Sequence, residues 1–139
     1  MGKYEKALDY ATKAHGDQKR KYTGDPYIIH PIAVAKTLSD LGYHEDVICA
    51  ALLHDVVEDT PVTLHDIEVH FSTVIARLVD QLTDVYTSEA FPNIKRKERK
   101  MLECYRLSKV SGYAKTIKLA DLIDNTYSIV ENDKGFAKV

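Results

Sequence analysis

Apolar positions along this 139-residue chain recur every three or four places, the period of an amphipathic helix, and no stretch alternates long enough to suggest a strand. Tyr4, Ala7, Leu8, Ala11 and Ala14 form one stripe and predict a helix over 3–17. A basic turn rich in breakers follows, Lys19-Arg20-Lys21-Tyr22-Thr23-Gly24-Asp25-Pro26. Pro31 opens a second helix, because its missing N–H costs nothing in a first turn. That helix is expected to reach about Leu41, with Gly42 as its stop.

From Glu45 to Val57 the chain is apolar almost all round: Val47, Ile48, Cys49, Ala50, Ala51, Leu52, Leu53, Val56 and Val57. Such a segment is the buried central helix of a bundle, and Thr60-Pro61 closes it. Thr63 is a good N-cap for a short helix over 64–70, with Asp66 completing a variant capping box, and Ser72 caps another over 73–82. A loop near 84–93, a strongly charged helix over 94–109 and a break at Ser111-Gly112 come next. A last helix starts near Tyr113 and runs past Asp124. The expected architecture is all-α. With no repeat, linker or low-complexity tract, a chain of this length is expected to form one domain around one core.

Composition narrows the function classes. The formal charge is −2, so no global field attracts nucleic acid, and a polyanion would have to be met by a local patch. Lys95, Arg96, Lys97, Arg99 and Lys100 form the one dense basic run, which reads chiefly as a solvated helix face. No nucleic-acid-binding motif accompanies it. No apolar run approaches the roughly 20 residues of a membrane span, and the charged segment Met1–Tyr10 is no signal peptide, so a cytoplasmic protein is expected. Cys49 and Cys104 are far apart with no CxxC spacing and are expected to be reduced thiols in the core.

The polar exceptions inside apolar segments are more telling. His54, Asp55, Glu58 and Asp59 sit in the central apolar helix, where an unpartnered ionised carboxylate costs several kcal/mol. His54 and Glu58 share one helical face, as do Asp55 and Asp59. His54 and Asp55 lie about 100° apart around the axis, within reach of one ion at the helix edge. His30 interrupts Tyr27-Ile28-Ile29-His30-Pro31-Ile32, and Asp121 interrupts Ile117-Lys118-Leu119-Ala120-Asp121-Leu122-Ile123. Alone, either would be an ordinary core exception. Together His30, His54, Asp55 and Asp121 make a mixed nitrogen–oxygen set that suits Mn²⁺, Fe²⁺, Mg²⁺ or Co²⁺, with Zn²⁺ as a further option.

The same stretches resemble the HD-domain hydrolases of the RelA/SpoT type, the small stand-alone alarmone hydrolases among them. His15-Gly16-Asp17-Gln18-Lys19-Arg20-Lys21, Gly24 to Val34 (GDPYIIHPIAV), Ala50 to Thr60 (AALLHDVVEDT) with Thr63-Leu64, and Lys118-Leu119-Ala120-Asp121 carry the resemblance, from about 10 to 125. It implies an HD-domain helical bundle with Mn²⁺ on His30, His54, Asp55 and Asp121. It also implies that Glu58 and Asp59 handle the attacking water, and that Arg20, Lys21 and Asn125 face a nucleotide. The implied reaction removes the 3′-pyrophosphate of (p)ppGpp, giving GDP or GTP and pyrophosphate. Glu58, one turn from His54, would take the water's proton, and Asp59 would position the water or protonate the leaving oxygen.

The chain also departs from that pattern. The relatives usually follow KLAD with Arg-Leu-His-Asn, whereas Leu122-Ile123-Asp124-Asn125 stands here, removing positive charge and adding a carboxylate beside the expected pocket. The basic turn is one residue longer than usual, and Tyr22 offers a ring on which a base could stack. Relatives continue for several helical turns beyond Asn125, so the pocket is expected to be more open, closed by a second copy in a homo-oligomer, or completed in a longer protein. The alternatives are therefore an HD phosphohydrolase for another nucleotide or for the 2′-phosphate of NADPH, and a non-catalytic nucleotide-binding regulator.

Overall fold

The computed structural model describes residues 2–21 and 23–132, and the backbone alone beyond Tyr127; Tyr22 lies outside them. Among the described residues the regular elements are all helices, with one isolated bridge between Lys19 and Pro26. The helices are α1 (Lys3–His15), α2 (Ile29–Asp40), α3 (Glu45–Leu53), α4 (Val56–Asp59), α5 (Leu64–His70), α6 (Thr73–Leu82), α7 (Arg96–Leu107) and α8 (Gly112–Asn132).

The most apolar segment forms the hub. α3 packs against α1, α2, α6 and α8 and buries Val47 and every residue from Cys49 to Leu53. Each fully buried Leu there contributes on the order of 2 kcal/mol of transfer free energy. α6 supplies Ile75, Ala76, Leu78, Val79 and Leu82, one face at helical spacing. The capping signals act as the sequence implies. Thr63 and Asp66 form a reciprocal capping box on α5, and Ser72 accepts the Ile75 N–H at the start of α6. Gly42 ends α2 with φ +82°, a conformation that an L side chain resists.

Two expectations need correction. The central helix is not continuous from 45 to 57: it ends at Leu53, turns through His54-Asp55 and resumes as the single turn α4. The cause is local, since the His54 ring takes the Ala51 carbonyl (Nδ1 to O 2.5 Å) that a continuing helix would offer to Asp55 N–H. A break separates α7 from the last helix as expected, and Gly112 is the first residue of α8, with the Ser111 hydroxyl accepting the Ala114 N–H at 3.3 Å. Cys49 is buried as expected, but Cys104 is exposed on the charged helix α7.

Residues 18–27 fold back on themselves between α1 and α2. Arg20 N–H donates to the Asp25 carbonyl and Tyr27 N–H to the Gln18 carbonyl, both at 2.8 Å, which presents the Arg20 side chain to α8. No described helix is long and apolar enough to cross a membrane.

Candidate metal centre

Three pieces of backbone aim at one point. His30 comes from the first turn of α2, His54 and Asp55 from the turn between α3 and α4, and Asp121 from the middle of α8. One ligand atom from each of these four residues lies within 4.8 Å of all the others. The turn at His54-Asp55 is what lets two neighbours serve the same point. His54 Nε2 sits 3.1 Å from Asp55 Oδ2 and 3.0 Å from Asp121 Oδ1, while His30 Nε2 sits 2.6 Å from the same Asp121 oxygen. Divalent ions bind such nitrogens and oxygens at about 2.0–2.2 Å, so opposite ligands stand up to about 4.4 Å apart. A largest separation within 4.8 Å is close to that span.

The electrostatics favour a cation. Burial opposes charge on His54, but Asp55 and Asp121 outweigh it and carry the imidazole well above its ordinary pKa. Burial would raise the Asp55 carboxyl, yet the His54 charge and hydrogen bonds from His54 and the Tyr27 hydroxyl bring it down to about 2. Asp121 is held well below the usual carboxylate range against its burial by hydrogen bonds from His30 and His54, with Lys118 Nζ at 3.2 Å from its other oxygen. A proton on His54 thus occupies, between two carboxylates, the place a divalent cation would fill better.

Each histidine is steered from behind. His54 Nδ1 donates to Ala51 O, and His30 Nδ1 lies 2.6 Å from Asp124 Oδ2. Tyr27 donates its hydroxyl to Asp55 at 2.5 Å, and burial with the adjacent carboxylate pushes its pKa far up, so it stays a donor. Sequence reasoning missed this role, although Tyr27 stands three residues before His30 in the GDPYIIHP stretch.

Glu58 and Asp59 flank the cluster on α4. Glu58 receives the Asp84 N–H, and partial burial, offset by that bond but reinforced by Asp84, Asp55 and Asp59, raises its carboxyl to about 7. Asp59 is raised by burial and by Asp55, with the Gln18 side chain hydrogen-bonded to it and His15 nearby opposing the rise. The loop that touches Glu58 is anchored by Glu103, another residue the sequence did not flag. Its carboxylate takes the Val85 N–H at 3.2 and 3.3 Å and pairs with Arg106 Nε at 2.8 Å.

The residues expected to face a nucleotide are placed unevenly. Arg20 lies beside the cluster with Nη2 3.3 Å from Asp124, Asn125 Nδ2 is 3.5 Å from Asp121, Lys21 is exposed, and Tyr22 lies outside the described residues. Asp124 stands beside the cluster as expected, with its carboxylate against His30 and Arg20. In the basic run Lys95, Arg96, Lys97 and Lys100 are exposed, and Arg99 is half-buried with Nη1 on the Ile94 carbonyl.

An all-helical bundle that gathers a histidine, a His-Asp pair and a distant aspartate around one point defines a metal-centred helical domain. The family model described as HD domain matches residues 7–135, and the chain belongs to this family. It is 42% identical over 122 residues to human guanosine-3′,5′-bis(diphosphate) 3′-pyrophosphohydrolase MESH1, covering 86% of this chain and 65% of that protein. It is 38% identical over 129 residues to the Aquifex aeolicus guanosine-3′,5′-bis(diphosphate) 3′-pyrophosphohydrolase, covering 90% of this chain and 17% of that one. A solved structure described as a metazoan ortholog of SpoT that hydrolyzes ppGpp superposes with a TM-score of 0.84 at 38% identity, over 96% of this chain and 73% of that one.

Proposed function

We propose that this chain is a divalent-metal-dependent hydrolase that removes the 3′-pyrophosphate of (p)ppGpp, with residues 1–139 forming a single HD domain. The observation that carries the reading is the convergence of His30, His54, Asp55 and Asp121 with Glu58 and Asp59 beside them. Kinship to relatives bearing that activity in their names supports it. Mn²⁺ is the proposed ion. When bound, a divalent cation supplies the charge that acidifies water and neutralises phosphoryl oxygens.

The chain's own groups do the rest. Glu58, with a carboxyl near neutrality, accepts the proton of the attacking water as general base. Asp59, its carboxyl raised from its ordinary value by burial, orients that water or returns a proton to the ribose 3′ oxygen as the pyrophosphate leaves. Tyr27 and Asp121 keep the neighbouring ligands in register. Arg20, Lys21, Tyr22 and Asn125 are the proposed nucleotide contacts. The substrate and the two free thiols suit action in the cytoplasm.

A panel of ppGpp, pppGpp, NADPH and simple phosphate esters, each with Mn²⁺, Mg²⁺, Co²⁺ and Zn²⁺, tests the reading. Pyrophosphate release from (p)ppGpp supports it. Turnover of NADPH or another ester with none of (p)ppGpp at any metal overturns the substrate, and binding of nucleotide without turnover favours a regulator.

A further inference from the structure

The two imidazoles of the metal centre solve the same problem differently. A histidine that offers Nε2 to a cation must carry its proton on Nδ1, and a partner on that side fixes both tautomer and ring plane. His54 finds its partner in its own helix, the Ala51 carbonyl. His30 sits in the first turn of α2, and its Nδ1 pairs with a side chain rather than with a carbonyl of its own helix. Its partner comes from α8, where Asp124 lies three residues beyond Asp121 and therefore on the same helical face. Asp121 meets His30 Nε2 and Asp124 meets His30 Nδ1, each at 2.6 Å, so one face of α8 grips both sides of the ring. The His30 side chain is 2% exposed, which leaves it no solvent partner to substitute.

Asp124 Oδ2 also lies 3.3 Å from Arg20 Nη2, and the side chains are 22% and 14% exposed. One carboxylate oxygen therefore holds a proposed metal ligand and a proposed nucleotide contact.

We propose that Asp124 is a positioning residue of the metal centre: it fixes His30 with Nε2 toward the ion, strengthens metal binding through that ring, and ties the ring to Arg20 of the substrate loop. The inference rests on the reading of the four-residue cluster as a divalent-metal site. Loss of a carboxylate behind a ligating histidine weakens metal binding by about 10- to 100-fold.

The test is Mn²⁺ affinity of the full chain, with no nucleotide present, by competition against a chromophoric chelator. Wild type is compared with Asp124→Leu, which removes the acceptor, and Asp124→Asn, which keeps size and one acceptor oxygen but not the charge. Circular dichroism checks folding. Asp124→Leu is expected to bind more weakly by about 10- to 100-fold and Asp124→Asn by an intermediate factor. In turnover assays, the Mn²⁺ concentration for half-activation should rise by the same factor, while kcat at saturating Mn²⁺ changes less. A folded Asp124→Leu or Asp124→Asn with wild-type Mn²⁺ affinity overturns the proposal. Should Asp124→Leu fail to fold, the near-isosteric Asp124→Asn decides. Wild type that binds no Mn²⁺ would instead refute the metal centre itself, and the proposal with it.

Discussion

Replacing Asp121 by Asn removes one charge from the centre while preserving its shape. Asp121 is 5% exposed, and its carboxylate faces His30 Nε2 at 2.6 Å, His54 Nε2 at 3.0 Å and Lys118 Nζ at 3.2 Å. Removing one partner of a buried ionic cluster costs about 3–5 kcal/mol, and relief of its repulsion with Asp55 brings the expected loss to about 3 kcal/mol. For a domain of this size roughly 3–4 °C of Tm accompanies each kcal/mol, so metal-free Asp121→Asn should melt about 10 °C below wild type. Asp121 titrates below its unfolded-state value, so its stabilisation is present above the ordinary carboxylate range and is lost as pH falls through the folded value. Asp121's own contribution to the gap should therefore be the same at pH 7 and pH 5 and shrink only in stronger acid. Metal widens the gap. At a free Mn²⁺ concentration 100 times the dissociation constant, wild type gains about 2.7 kcal/mol, or roughly 9 °C, and the variant gains none. Scanning calorimetry in chelator and in Mn²⁺ reads all four states. A folded Asp121→Asn that keeps the full Mn²⁺-dependent rise would refute the assignment of Asp121 as a ligand.

The other consequences are more local. Glu58→Gln should lower kcat by about 10²–10⁴-fold while leaving Mn²⁺ affinity within a few-fold of wild type, because Glu58 stands outside the ligand set. In wild type, activity should rise with pH as the Glu58 carboxyl, raised to about 7 without metal and pulled lower by a bound cation, gives up its proton. A Glu58→Gln profile retaining that rising limb would assign it elsewhere. Glu103→Ala strips Arg106 and the Val85 N–H of a shared partner, costs about 1–3 kcal/mol, and should reduce kcat by loosening the loop on Glu58. Unchanged kcat in that variant would show that the loop does not position Glu58. Thr63→Ala breaks the capping box of α5 and should cost about 0.5–2 kcal/mol in denaturant melts with Mn²⁺ affinity untouched.

How far the chain can be read from its residues depends on where each interaction partner sits. Caps are written within a few residues of one another, and Thr63 with Asp66, Ser72 and Gly42 all act where the pattern puts them. The hub helix was legible for a similar reason, since a segment apolar all round has nowhere to go but the interior. Its break at His54-Asp55 was not, because an apolar run records burial but not a ring that captures its own helix's carbonyl. The cluster of His30, His54, Asp55 and Asp121 announced itself as polar exceptions in apolar surroundings. The groups that hold it did not. Tyr27, Glu103 and Asp124 look like ordinary amphipathic or surface residues until partners 18 to 94 positions away are known. Asp124 was legible as a carboxylate beside the pocket, but its particular neighbours, His30 and Arg20, come from distant positions and were not. Its spacing of three from Asp121 was the signal available.

Hydrolysis of the 3′-pyrophosphate at this centre is the proposed activity. Phosphorus NMR of ppGpp incubated with the Mn²⁺-loaded chain tests it most directly, beside Asp55→Ala under identical conditions. Wild type is expected to convert ppGpp into GDP and pyrophosphate, and Asp55→Ala to convert none. Intact ppGpp after prolonged incubation with metal-loaded, folded wild type, or equal conversion by Asp55→Ala, would contradict it.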